Sequence, residues 1–198
     1  MSGRIFTSFR VGGFTILPEG EPPPVDGTIP LVLGRKGAFG SGEHETTAAC
    51  LELLERLPVA GMRVLDLGSG TGILAIAAVR LGAGQAVAID IDGPAARCCA
   101  DNVRYNEVGD RVVTVQGELA AVRGEFDLVL ANIYADILLA LAEQLVTMTR
   151  PGGHLLLSGI PLQDKFDVWR RYTGLGCSQR DSRVGEEYAT YLLQRLPP

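Results

Sequence analysis

This 198-residue sequence predicts an α/β fold, a Rossmann-like doubly wound sheet that is mostly parallel, with an antiparallel C-terminal strand and a short N-terminal β segment leading into it. Three observations predict it. From Met62 onward, apolar strand-like runs alternate with helical stretches, the pattern of a parallel sheet covered by helices on both faces. The run Val64-Leu65-Asp66-Leu67-Gly68-Ser69-Gly70-Thr71-Gly72 passes from a buried strand through a glycine turn into an Ala-rich helix. A second strand, Ala86-Val87-Ala88-Ile89-Asp90, then ends on a carboxylate 24 positions after Asp66.

In chain order, residues 4–33 read as short strands separated by Gly12-Gly13 and by Pro22-Pro23-Pro24, which cannot continue a sheet ladder. They belong to a lead-in segment, 1–36, ahead of a Rossmann-like core at 37–198, and the two together form a single domain. A glycine-rich turn at 34–42 precedes a helix over 46–57, with Leu51, Leu53, Leu54 and Leu57 in periodic positions and Pro58 as its stop. Strands are expected at 62–66, 85–90, 111–116, 126–131 and 152–158. Helices fill 72–82, 94–106, 134–148 and 162–172, and 176–182 with 187–195 closes the sheet as an antiparallel pair. The chain has no internal repeat and no low-complexity tract.

Composition narrows the function classes. With 46% hydrophobic and 21% charged residues, the mix is that of a soluble globular protein, and the longest apolar runs, 73–79 and 137–142, are too short to span a membrane. The N-terminus lacks the pattern of a secretory signal, so a cytoplasmic protein is expected. A net charge of −5 argues against general nucleic-acid binding, leaving only a local basic patch open. Cys50, Cys98, Cys99 and Cys177 contain no C-x-x-C pair and read as reduced residues. His44 and His154 have no partners at metal-ligand spacing, so no metal site is expected.

The chemistry is expected at the carboxyl ends of the strands. Glycines 68, 70 and 72 would let the backbone approach a ligand, although a glycine turn alone can be a tight strand-to-helix connection. Gly70-Thr71-Gly72-Ile73-Leu74-Ala75 also satisfies the G-x-G-x-x-A pattern of nicotinamide dehydrogenases. Asp66 tells against that reading, because a carboxylate there would repel a pyrophosphate and would favour a cationic ligand. Asp90 is placed to accept both hydroxyls of a ribose, and Ile91 to pack on a base. Asp92 reads as the cap of the next helix, with Pro94 in its first turn. Glu118 either reaches the base edge or is a solvated loop carboxylate. Asn132 could orient an amine nucleophile through its carbonyl oxygen, steady a cofactor, or cap the following helix. Tyr134 reads equally as a core aromatic or as part of the entrance.

The run Gly37-Ala38-Phe39-Gly40-Ser41-Gly42-Glu43-His44-Glu45-Thr46-Thr47, the glycine turn, Asp90-Ile91-Asp92 and Ala131-Asn132-Ile133-Tyr134-Ala135 together resemble the ribosomal protein L11 methyltransferase (PrmA) family. Pro151-Gly152-Gly153 and Leu157-Ser158-Gly159-Ile160 continue the resemblance toward the C-terminus. It implies a class I methyltransferase domain that uses S-adenosylmethionine to methylate protein amines, either lysine side chains or an N-terminal amine. The cationic amino group and sulfonium of that cofactor suit Asp66. Carried over by position, Thr47, Gly68, Asp90 and Asn132 would contact the cofactor, with Asp66, Gly70 and Ile91 completing its site and Asn132 acting in catalysis. Ser41, Glu43 and Glu45 are mild departures. The resemblance implies a protein acceptor, a ribosomal protein among the candidates, while the family's N-terminal recognition domain has no counterpart ahead of Met1, which leaves room for a partner that supplies recognition. A small-molecule or nucleic-acid acceptor, or a non-catalytic cofactor-binding subunit, stands as the alternative.

Overall fold

A computed structural model describes residues 7–34 and 44–197. The expected glycine-rich turn at 34–42, apart from Gly34, and the boundary at 36 lie outside the described residues. β1 (Phe9–Val11) and β2 (Phe14–Pro18) form an antiparallel hairpin around Gly12-Gly13. β3 (Ile29–Leu33) runs parallel to β2 as the edge of this three-stranded sheet, with Pro22-Pro23-Pro24 in the connection between them. Phe14, Ile16, Leu31 and Leu33 are buried at alternate positions against the larger body of the protein.

α1 (Glu45–Leu54) is capped by His44, whose Nδ1 accepts the Thr46 N–H at 3.3 Å. It ends three residues earlier than expected. Pro58 disfavours a helical Leu57 before it, and the amides of Arg56 and Leu57 instead bond three residues back, to Leu53 and Leu54. The core then alternates β4 (Arg63–Leu67), α2 (Ile73–Arg80), β5 (Gln85–Asp90), α3 (Gly93–Tyr105), β6 (Val112–Gln116) and β7 (Phe126–Asn132). The expected single helix over 134–148 is two helices, α4 (Ala135–Ala140) and α5 (Ala142–Met148). Leu141 leaves the α region at φ −93°, ψ 3°, and Leu138, Ala142 and Leu145 all enter the same core layer.

β8 (Thr149–Pro161) starts three residues before the expected 152. Thr149 already pairs with Phe126, and Gly152, at φ +80°, carries the strand through an irregularity in that ladder. α6 (Lys165–Gly174), β9 (Cys177–Val184) and β10 (Tyr188–Arg195) complete the chain. The large sheet has the order β6-β5-β4-β7-β8-β10-β9, in which β10 alone runs against the rest.

Alternation along the strands builds the two faces. Val64, Ala86, Ala88, Leu128, Leu130 and Leu156 face α1, α2, α3 and the small sheet. Leu65, Ile89, Val129, Ala131, Leu155 and Leu157 face α4, α5 and α6. Cys50, Cys99 and Cys177 are buried within these layers, and burial pushes their thiols up to about 12, about 12 and about 11. Among the described residues no helix is long and apolar enough to cross a membrane, and no group of three metal-ligating side chains occurs.

Candidate active site

Strand register assembles the site. Leu67 of β4 pairs with Ile89 of β5 on one side and Ala131 of β7 on the other. The next residues, Gly68, Asp90 and Asn132, therefore stand side by side at the carboxyl edge of three adjacent strands, where open α/β sheets bind their ligands.

The glycine turn is held by main-chain and carboxylate contacts. Gly68 and Ser69 both donate to Ile89 O, at 2.9 and 3.1 Å, and Gly70 donates to Asp90 Oδ2 at 2.8 Å. The other oxygen of Asp90 accepts the Asp92 N–H at 3.0 Å. Gly68 and Gly72 must be glycine. Their φ values are +68° and +77°, and a Cβ would fall 2.3 Å from Ile133 Cγ2 at the first and 2.4 Å from Cys99 Sγ at the second. Gly70 has φ +53°.

Asp66 is buried two residues before Gly68 at the edge. Gly72 has no side chain with which to cap α2, and Asp66 Oδ2 does so in its place by accepting the Ala75 N–H at 3.1 Å. Burial pushes its carboxyl up to about 7; the Ala75 bond opposes this and the negative charge of Asp90 adds to it.

Asn132 Nδ2 donates to Thr47 Oγ1 at 3.3 Å, while Asn132 Oδ1 is buried with no hydrogen-bond partner among the described residues. Such an atom costs on the order of 1–3 kcal/mol unless something else satisfies it, which marks it as an acceptor for a ligand. Thr47 is fully buried on α1, beside Thr46, whose carbonyl accepts from Ser158 Oγ at 3.4 Å. Ser158 and Thr190 share a 2.6 Å hydroxyl contact behind it. Gly159 lets the turn after β7 press against β8, since a Cβ there would lie 2.4 Å from Ile133 O.

The structure thus brings Asp66, Gly68, Gly70, Asp90, Asn132 and Thr47 to one edge. Asn132 does not cap the next helix, whose cap position is Tyr134 with no side-chain bond. Tyr134 is 76% exposed and so is not a core aromatic, and Ile91, at 69%, stands open beside Asp90. Asp92 does cap α3, accepting the Ala95 N–H at 3.0 Å. Glu118 is exposed at the start of the 3₁₀ turn Leu119–Ala121 and makes no capping bond. Sequence reasoning missed the supporting polar residues. Asn102 on α3, Asn106 at its C-cap, and Ser158 and Thr190 on β8 and β10 are buried polar side chains; Ser158 and Thr190 stand out as polar positions in apolar strands, while the asparagines lie in a polar stretch that carries no such signal.

The family model described as Ribosomal protein L11 methyltransferase (PrmA) matches residues 2–192. A Ribosomal protein L11 methyltransferase of Pelobacter propionicus is 43% identical, covering 96% of this chain and 64% of its own length. Its counterpart in Chloroflexus aurantiacus is 37% identical, covering 98% and 67%. The chain thus spans about two thirds of the length of these curated relatives. The crystal structure of a ribosomal protein L11 methylase from Lactobacillus delbrueckii subsp. bulgaricus superposes with a TM-score of 0.89 at 30% identity, covering 97% of this chain and 100% of that one. With the family model matched over residues 2–192 and relatives about 40% identical along nearly the whole chain, the chain belongs to the ribosomal protein L11 methyltransferase family.

Proposed function

We propose that this chain is an S-adenosylmethionine-dependent methyltransferase acting on a protein amine, a lysine side chain or an N-terminal amine, with ribosomal protein L11 as the acceptor its relatives name. The observation that carries this reading is the buried Oδ1 of Asn132, unpartnered among the described residues, at the same sheet edge as the Asp90 carboxylate, with the glycine turn after β4 between them. Residues 1–198 act in it as one catalytic domain.

The residues present fit the cofactor. Asp90 uses its two oxygens on main-chain amides and keeps lone pairs for two ribose hydroxyls. Ile91 offers an exposed apolar surface to the adenine. Gly68 and Gly70 allow close approach of the backbone, and the negative charge of Asp66 favours a cationic ligand. When bound, the cofactor supplies an electrophilic methyl carbon on a sulfonium sulfur.

The chain's part in the reaction is positioning. Asn132 Oδ1 accepts a hydrogen bond from the acceptor amine and turns its lone pair toward the methyl group, while Thr47 holds the amide from behind. The amine must react neutral. For an ordinary lysine, near pKa 10.4, this costs roughly 4 to 5 kcal/mol at pH 7. A desolvated site beside positive charge recovers part of it, and the proton leaves to water.

The test is transfer of a labelled methyl group from S-adenosylmethionine to purified ribosomal protein L11, with the labelled residue located by mass spectrometry. Label on lysine or the N-terminal amine is expected. The Asn132→Ala variant should lose turnover by more than it loses cofactor affinity. Label found only on nucleic acid or small molecules, or equal losses in turnover and affinity, would contradict the assigned acceptor or the assigned role of Asn132.

A further inference from the structure

We propose that Asn102 is a positioning residue that links the N-terminal sheet to the cofactor turn, so that docking of β3 and occupancy of the glycine turn reinforce one another. The inference rests on the reading of that turn as a cofactor site.

β3 uses one edge to pair with β2, and its other edge faces α3. Two buried asparagines one helical turn apart take the place of a neighbouring strand there. Asn106 Oδ1 accepts the Val32 N–H at 2.9 Å and its Nδ2 donates to Val32 O at 2.7 Å, the pair of bonds that a strand residue would make. Asn102 divides its amide between two segments. Its Oδ1 accepts the Gly34 N–H at 2.8 Å, just past the end of β3, and its Nδ2 donates to Thr71 O at 2.8 Å, inside the glycine turn.

Only a side chain that donates and accepts at once can make both bonds. The rest of α3 leaves little slack between helix and turn, because Cys99 Sγ occupies the space that a side chain at Gly72 would need. A shift of β3 is therefore passed through one amide to Thr71, between the glycines whose backbone is to approach the cofactor. The bonds of Asn106 end on β3, on its own helix and, through its carbonyl, on Arg80. Linkage is reciprocal: if β3 steadies the turn, a ligand on the turn steadies β3.

The experiment combines calorimetric titration of S-adenosylmethionine with hydrogen exchange of the β3 amides, each well below the melting temperature of the variant used. In the wild type, cofactor should slow exchange across 29–34. Asn102→Ala should weaken cofactor binding about three- to tenfold, the range of one hydrogen bond, and abolish that slowing. Asn102→Asp still accepts from Gly34 but sets a second acceptor against Thr71 O, so it should lose at least as much affinity. Asn106→Ala is the comparison: it loosens β3 without touching Thr71, so it should lower the melting temperature while costing less affinity than Asn102→Ala. Should Asn102→Ala not fold, the aspartate variant carries the comparison. Unchanged affinity in the Asn102 variants, or protection of β3 that persists in them, would overturn the proposal. A wild type that does not bind cofactor would overturn the cofactor reading itself, and this proposal with it.

Discussion

Two glycine turns in this protein are built alike and are put to different uses. In the β1–β2 hairpin, Gly13 donates to Glu55 Oε1 at 2.6 Å; after β4, Gly70 donates to Asp90 Oδ2 at 2.8 Å. In both, a carboxylate takes a main-chain amide of the turn; the positive φ lies at Gly12, next to the bonded amide, in the hairpin and at Gly70 itself after β4. At the hairpin the carboxylate fills the space itself, since a Cβ on Gly12 or Gly13 would lie 2.3 Å from a Glu55 oxygen. That turn is closed and fastens the small sheet to the end of α1. After β4 the crowding comes from Ile133 and Cys99 behind the turn, while Asp90, Ile91 and the unpartnered oxygen of Asn132 stand at the sheet edge with capacity to spare. A glycine turn becomes a site when the polar groups around it are left with bonds still to make.

The largest effect is expected from adding one methyl group to each turn. Gly68→Ala forces a Cβ into Ile133 at φ +68°, a strain of about 1–3 kcal/mol before Ile133 moves. It should abolish cofactor binding in calorimetry. Gly12→Ala, at φ +55°, meets only the end of the Glu55 side chain, which can swing away, and should lower the melting temperature while leaving cofactor affinity intact. Equal losses of affinity would erase the distinction between the turns.

A smaller effect follows from Asp66. Its carboxyl is raised to about 7, chiefly by burial, so between about pH 4 and about pH 7 the folded chain holds a proton that the unfolded chain has released. The contribution of this group to stability therefore falls as pH rises through that window. A cationic ligand favours the ionised form and expels the proton, so cofactor affinity should rise with pH up to about 7 and then flatten. Asp66→Asn should remove both slopes. Denaturation and calorimetric titrations across that range check this, and an affinity flat with pH would remove the ionised carboxylate from the site.

The comparison also explains what could be read in the amino-acid sequence. β4, β5 and β7 were legible to within about a residue because they are buried apolar runs closed by Asp66-Leu67, Asp90 and Asn132, and strand register then sets Gly68 level with Asp90 and Asn132. The break at Leu141 was not, because Leu138, Ala142 and Leu145 are apolar whether the helix runs straight or bends. Nor was the clamp on β3. Asn102 and Asn106 lie 68 and 74 positions from the main-chain groups they hold, and nothing local specifies such a pairing. The link between Thr47 and Asn132 spans 85 positions and arises in the same way, from packing of α1 on the sheet.

The central claim, that the open turn is a cofactor site and the closed one is not, is tested most directly by titrating S-adenosylmethionine into the wild type and into the Asp90→Ala and Glu55→Ala variants. The wild type should bind it and ignore nicotinamide dinucleotides. Asp90→Ala should weaken binding by about 1–3 kcal/mol, the range for hydrogen bonds made by a charged group. Glu55→Ala should leave affinity unchanged while lowering stability by on the order of 1 kcal/mol. Loss of affinity in the Glu55 variant matching that in the Asp90 variant, or a wild type that binds the dinucleotide instead, would contradict the account.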